Sequence, residues 1–433
     1  MSRLWTSFAD DWRGRWWSLG FAVCVVLAFS QVWQAPLFGY SDTMADGLLI
    51  RAFYYPFYIC GIALAVIAWR RLLSATWRTP LMLALVLLCL VSAAWSIDPA
   101  TTIRRFVALF MTVLCAYAMA ARFSWARLTE VLAIAFGFMM VLSVVLAVAF
   151  PHLGKMQELF PGAWRGAWVE KNALGALMSL GFVAAAAAAL HNPSRRVVWG
   201  VIAACMVAVV LLSTSKTALL GIIIGFGGIA FIWFARKGPV IGIVLTWLAV
   251  SCLLGFGLVL VFQPDLIFVL LGKDATLTGR TFIWDGIRRV IAERPNTGYG
   301  YGVVWTTEGE WTPLAKIIRV ASFRPYHAHS SWLEVWLGLG IGGLVLWAVV
   351  FAETWLKGFY RTFRGDGGYF ALPFLGIFTL STLSESMALS WNDLRWCLFV
   401  LVLVKLSLKG DVDSDEAEES ETAQSRLLDS LGF

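Results

Sequence analysis

Four histidines serve 433 residues, and two of them, His327 and His329, stand two positions apart in RPYHAHSSWLEVWLGLG, where a polar loop meets a very apolar helix. Imidazole is the side chain best suited to move a proton near neutral pH. Ser331 and Glu334 have the spacing of a capping box, which makes Ser331 the expected N-cap. His329 then lies just ahead of a helix N-terminus, whose positive dipole end disfavours imidazolium. A ring kept neutral can accept a proton, so His329 is the candidate general base. His327 lies further out along the loop. It is kept as a candidate substrate contact, against the plain reading of a histidine packed at an interface. A metal site is not expected. Histidines two apart on an extended segment ligate one ion only if the backbone turns, no HExxH pattern occurs, and His152 is the one further histidine expected on that side.

Cations form the second group. Arg280 falls at the start of a short helix, where the dipole opposes it, so helix stability does not account for its presence; an anion bound at that terminus would. Arg165 stands in PGAWRGAWVEKN, which leads into an apolar run whose start is marked by Lys171 and Asn172. Lys216, in STSKT, lies at a turn between two apolar runs, Arg104 and Arg105 follow WSIDPATT, and Arg324 precedes the histidine pair. For each, the bland alternative is a side chain that snorkels to a lipid interface or is exposed on a loop. Glu385, in STLSES, and the Asp393/Arg395 pair are expected first as structural ion pairs, with Glu385 also kept as a substrate contact. Should these cations converge with His329, they would make a pocket for a doubly charged group such as a diphosphate, beside a proton acceptor.

What must position these residues is a membrane bundle. The chain is 60% hydrophobic and 14% charged, with a mean hydropathy of +0.76, more apolar surface than a soluble globule needs. Spans of about 20 apolar residues are expected at 16–34, 48–69, 80–95, 103–121, 128–150, 172–190, 196–212, 217–235, 239–262, 331–356, 369–386 and 391–408. The expected fold is therefore an all-α polytopic membrane protein of about twelve transmembrane helices. With both termini in the cytoplasm, every inside loop carries at least two Lys or Arg, such as Arg70, Arg71 and Arg78, or Arg195 and Arg196, as the positive-inside rule requires. The net charge of +7 is thus spent on topology and gives no reason to invoke nucleic acid.

The expected organisation is a bundle of nine spans over 1–262, a large periplasmic loop over 263–330, three spans over 331–408, and an acidic, disordered cytoplasmic tail over 409–433. Inside the large loop, Ile283, Ile287, Val290 and Ile291 have helical spacing, ended by Pro295 and Gly298, and predict an amphipathic helix. GYGYG follows, glycines that let the backbone approach something closely. The seven cysteines all fall in apolar runs and are expected to be small buried hydrophobes. The N-terminus lacks a cleavable signal pattern and is expected to lie at the interface.

At this point the motifs resemble those of the O-antigen ligase and polysaccharide polymerase superfamily of bacterial inner membranes. The likeness is carried in order by WSIDPATTIRRF (95–106), RGAWVEKNALG (165–175), TGRTFIWDGI (278–287) with RPNTGYGYG (294–302), HSSWLEVWLGLGIGGL (329–344) and SES (384–386). Glu170 stands where many relatives have histidine, Ser330 where many have asparagine, and Trp332 replaces a tyrosine. The resemblance implies a metal-independent, inverting transfer of a glycan from undecaprenyl diphosphate on the periplasmic side, with no cofactor. By position, Arg165 and Arg280 would stabilise the leaving diphosphate and His329 would activate the acceptor hydroxyl. It also implies the partners: a lipid-linked glycan donor, a glycan acceptor (polymerase) or a lipid A core acceptor (ligase), the bilayer, and other polysaccharide assembly proteins. A transporter for the same lipid-linked sugar is the competing class, but the span middles are almost free of ionisable residues.

Overall fold

The computed structural model describes residues 12, 14–40, 47–158, 160–262, 279–364, 367–408 and 410. The acidic tail, most of the N-terminal segment and the start of the long loop (263–278) lie outside the described residues, and so do the expectations placed on them. Among the described residues the chain is helical, apart from one antiparallel bridge between Lys155 and Trp164.

In chain order the helices are α1 (Trp16–Phe29), α2 (Gln34–Phe38), α3 (Leu48–Phe53), α4 (Tyr55–Ile67), α5 (Trp69–Arg78), α6 (Pro80–Val91), α7 (Pro99–Arg122), α8 (Trp125–Ala149) and α9 (Pro151–Gly154). They continue with α10 (Lys171–His191), α11 (Arg196–Ser213), α12 (Lys216–Ala235), α13 (Pro239–Phe262), α14 (Arg280–Glu293), α15 (Pro313–Ala321), α16 (Ser331–Arg364), α17 (Gly368–Ser384) and α18 (Leu394–Ser407). Each of the twelve expected spans is occupied by helix. Among the described residues, seven helical segments are long and apolar enough to cross a bilayer, or eight if the bent pair Trp69–Arg78 and Pro80–Ala94 is one span. Shorter apolar helices include α1 and α17. The chain is thus a multi-pass membrane protein, with fewer full-length spans by this measure than the sequence predicts.

Two departures have local causes. The expected loop over 70–79 is helix, because WRRLLSATWR holds no glycine or proline; the break comes only at Thr79–Pro80, where the axis turns by 87°. Helix α16 runs past the expected end, and Gly340 breaks it internally with φ 70°. A Cβ at Gly340 would collide with the Asn296 carbonyl. The GYGYG loop lies against this break and takes the backbone groups it frees. The Tyr299 and Gly300 N–H groups donate to the Leu337 and Gly338 carbonyls (3.0 and 2.9 Å), and the Ile341 N–H donates to the Pro295 carbonyl (2.8 Å). Irregular backbone at membrane depth is tolerated only when satisfied in this way.

The predicted stripe of α14 is buried as expected: Ile283, Ile287, Val290 and Ile291 pack with Ile317 and Ala321 of α15. These two helices form a small second core that sits on α16. The main core is the bundle. Helix α18 is apolar on every side and sunk in the middle, with Phe399, Val400, Leu401, Val402 and Leu403 all fully buried. Peripheral helices instead expose Ile223, Phe226, Trp247 and Leu254, the surface that lipid would cover.

Candidate active site

Two residues in the first turn of α16 fasten the neighbouring loops together. Ser331 Oγ donates to the Glu385 carbonyl (2.8 Å) and accepts from the Met387 and Ala388 N–H groups (3.0 and 3.2 Å). Its hydroxyl is therefore used across the fold and not as the expected N-cap. That role falls to Ser330, whose Oγ accepts from the Leu333 N–H at 3.5 Å. Glu334, expected to close a capping box, reaches further: it accepts from Trp305 Nε1 (2.5 Å), the Ala328 N–H (3.0 Å) and Ser386 Oγ (3.0 Å). One carboxylate thus ties together three segments, two of which flank His329 and Glu385.

His329 itself sits at φ 50°, in the left-handed region, a conformation more common for histidine than for most side chains. This turn brings its ring onto that of His327, with centroids 3.9 Å apart. It also places Nδ1 3.5 Å from Glu385 Oε2. The His329 N–H donates to His327 Nδ1 at 3.2 Å. Arg280 completes the group: Nη1 donates to the Ser384 carbonyl (2.7 Å) and Nη2 to Glu385 Oε1 (3.1 Å).

These side chains line a cavity of about 800 Å³ at one end of the bundle. Lys171, Asn172 and Lys216 line it too. Lys171, Lys216 and Arg280 are the first residues of α10, α12 and α14. Three helix starts, each led by a cation that its own dipole opposes, therefore open into one space. The starts of α10 and α12 are joined, since Ser215 Oγ donates to Asn172 Oδ1 (2.9 Å). Lys171 Nζ donates to Thr214 Oγ1 (3.1 Å) and lies over the Phe160 ring.

Electrostatics around Glu385 and His327 follow from this crowding. Burial alone would raise the Glu385 carboxyl, but the His329 ring beside it and the Arg280, His327 and Arg395 charges overcome that and hold it at about 2. Burial, with His329, Arg395 and Arg280 close by, pushes His327 down to about 4, against the opposing pull of Glu385. His327 is therefore neutral at pH 7, and because Nδ1 accepts a hydrogen bond, Nε2 carries the proton.

Other expected members lie elsewhere. Arg165 is not among the residues lining the cavity. Its Nε donates to the Leu153 carbonyl (2.8 Å) and Nη2 to the His152 carbonyl (3.3 Å), while its guanidinium stacks on Tyr40. The stretch it fixes, Ala167 to Ala173, does line the cavity. Arg105 donates to the Gly302 carbonyl and lies over Trp391. Arg104 bonds Thr101 within its own helix (3.1 Å), and exposed Arg324 pairs with Glu308 (3.4 Å). Arg395, read from sequence only as the partner of Asp393, makes that pair at 2.6 Å and also lines the cavity. The signal for it was weak, since an i,i+2 Asp–Arg pair looks self-contained.

The turn at His329 supplies what a metal site would have needed. Ligand atoms of His327, His329 and Glu385 lie within 4.8 Å of one another. The donor set fits a cation poorly, because Arg280 occupies Glu385 Oε1 and a backbone N–H occupies His327 Nδ1.

Comparison with known proteins matches the O-antigen ligase family over residues 201–348, a stretch running from α11 through the histidine loop into α16. The chain is also similar to the exopolysaccharide production protein ExoQ of Rhizobium meliloti (strain 1021), at 24% identity over 323 residues, 72% of each chain. Together with the ordered motifs, these two likenesses support placing the chain in the O-antigen ligase and polysaccharide polymerase superfamily.

Proposed function

We propose that the protein is an inverting glycosyltransferase that extends a polysaccharide from an undecaprenyl-diphosphate-linked donor, at the periplasmic face of the bacterial inner membrane. The observation that carries this reading is the convergence of Lys171, Lys216 and Arg280, each at a helix start, with His329 in one cavity. The acceptor hydroxyl gives its proton to His329, and its oxygen attacks the anomeric carbon of the donor. The bond from that carbon to the diphosphate breaks, and the electron pair leaves with the phosphate oxygen. Negative charge grows on the leaving group where fixed cations already stand, which lowers the barrier most when they need not reorganise. Arginine serves here by binding phosphate in two places while remaining charged. Glu385, facing His329 Nδ1, orients the ring and stabilises the imidazolium as it forms, which leaves Nε2 to take the proton. Arg165 acts through the loop it anchors.

Similarity to an exopolysaccharide production protein favours polymerase over ligase, so the acceptor is another lipid-linked glycan. The test is lipid analysis of a deletion strain. Loss of a polymerase leaves single repeat units on undecaprenyl diphosphate, whereas loss of a ligase leaves long polymer stranded there. Reconstitution separates both from a transporter: donor moved across the bilayer with no new glycosidic bond contradicts the enzymatic reading.

A further inference from the structure

A second cavity, of about 140 Å³, adjoins the first behind His327. The segment following α17 is the partition between them. Ser384, Glu385 and Met387 line the large cavity, while Ser386, Ala388 and Ser390 line the small one. His327 belongs to both walls. The small cavity is built unlike the large one. Its walls hold Tyr301, Trp305, Tyr326 and Trp391 among aliphatic side chains, no lysine or arginine, and one carboxylate, Glu334, which is already bonded to Trp305, Ala328 and Ser386. Tyr326 stands at its rim with 61% of its surface exposed, so the space opens outward.

The walls are held rigidly. Trp305 is fixed through Nε1 to Glu334 (2.5 Å), Tyr301 donates through its hydroxyl to the Leu389 carbonyl (2.5 Å), and Trp391 is backed by the Arg105 guanidinium. A cavity of rigid aromatic faces with a few hydroxyls between them suits a ligand that is apolar on its faces and polar at its rim. A pyranose ring has that character. A space of about 140 Å³ is on the scale of one ring and too small for a chain of them.

We propose that this small cavity is the acceptor subsite, holding the terminal sugar ring of the acceptor glycan so that its hydroxyl reaches the large cavity past His327. The proposal rests on the transferase reading above and deepens it. His327 stands at the threshold as a neutral donor: its Nδ1 is occupied by the His329 N–H, and Nε2–H faces a hydroxyl oxygen without competing for the acceptor's proton. Donor charge and acceptor ring are thereby sorted into separate chambers by chemistry, one cationic and one aromatic.

The test uses the full chain reconstituted in nanodiscs, with the lipid-linked repeat unit as donor and the same oligosaccharide, delipidated, as acceptor. Tyr326→Ala removes a rim face from an exposed position, and Ser390→Leu fills the cavity from its wall. Each is expected to raise the acceptor KM about tenfold with donor KM moving less than twofold. Saturation-transfer NMR between wild-type protein and the delipidated oligosaccharide is expected to give a signal that Ser390→Leu abolishes. Acceptor KM unchanged in both variants overturns the subsite, as does an equal rise in donor and acceptor KM. Wild-type protein that forms no glycosidic bond overturns the transferase reading itself, a result distinct from either.

Discussion

Arg280 and Arg105 are both arginines that tie the loop region before α16 to the bundle, and they do so in opposite ways. Arg105 is buried and spends its guanidinium on the Gly302 carbonyl, Thr306 and the face of Trp391. Arg280 is held by the Ser384 carbonyl and Glu385 yet keeps 22% of its side chain open, within the cavity wall. A guanidinium bonded to neutral carbonyl and aromatic groups is a structural brace. One anchored to a carboxylate at the edge of a cavity retains donors for an incoming anion. On the proposed function, the difference separates cations that hold the site from cations that serve it, and both look alike in sequence.

The widest separation is expected for substitutions inside the cavity. His329→Ala removes the proposed base and is expected to lower kcat by about 10²–10⁴-fold. Arg280→Ala is expected to cost about 10²–10³-fold, as for loss of a donor to developing charge. Single-turnover assays with lipid-linked donor check both. Next come Lys171→Ala and Lys216→Ala, which lie at the far helix starts and are expected to raise donor KM by roughly tenfold, about 1.4 kcal/mol. Titration of donor in the reconstituted assay reads this directly. Arg105→Ala should behave as a brace: stability falls by about 1–3 kcal/mol, while kcat and donor KM per folded molecule stay within about twofold. A large kinetic loss in well-folded Arg105→Ala would erase the distinction. Arg324→Ala, on an exposed pair with Glu308, is expected to change stability by under about 1 kcal/mol.

Acid should reveal His327 and Glu385 through stability. Both have folded-state values below their ordinary ones, so both favour the fold at neutral pH. The unfolded chain binds the His327 proton first, and that contribution is lost as pH falls from 6.5 to about 4. The Glu385 contribution is lost later, between 4.5 and about 2. Melting temperatures of wild type and His327→Gln between pH 7 and pH 4 are expected to converge as pH falls. Parallel curves would contradict the assignment.

Much of the frame is legible from periodicity. The apolar stripe of α14 and the helical course of each expected span follow from local patterns that tertiary packing did not overrule. The rule that singled out Arg280, a cation at a helix start where the dipole opposes it, also fits Lys171 and Lys216, and its threefold recurrence is a signal in the sequence. What stayed hidden depends on contacts between distant segments. SS at 330–331 offers two equivalent caps, and the choice is made by the Glu385–Ala388 segment, which claims the Ser331 hydroxyl. Arg165 looks exposed in its motif, yet the carbonyls that capture it lie twelve and thirteen residues earlier. The break at Gly340 could not be foreseen because its reason, the Asn296 backbone, arrives from the preceding loop.

The central claim is that the cations at the helix starts hold the donor's diphosphate while His329 acts on the acceptor. Binding of undecaprenyl diphosphate to reconstituted wild type, Arg280→Ala and His329→Ala, measured beside bond formation in the same preparations, tests it most directly. The account predicts that His329→Ala binds within about twofold of wild type but forms bonds at least about 100-fold more slowly, while Arg280→Ala loses at least tenfold in affinity, about 1.4 kcal/mol. Bond formation by His329→Ala at close to the wild-type rate, or undiminished binding by Arg280→Ala, would contradict it.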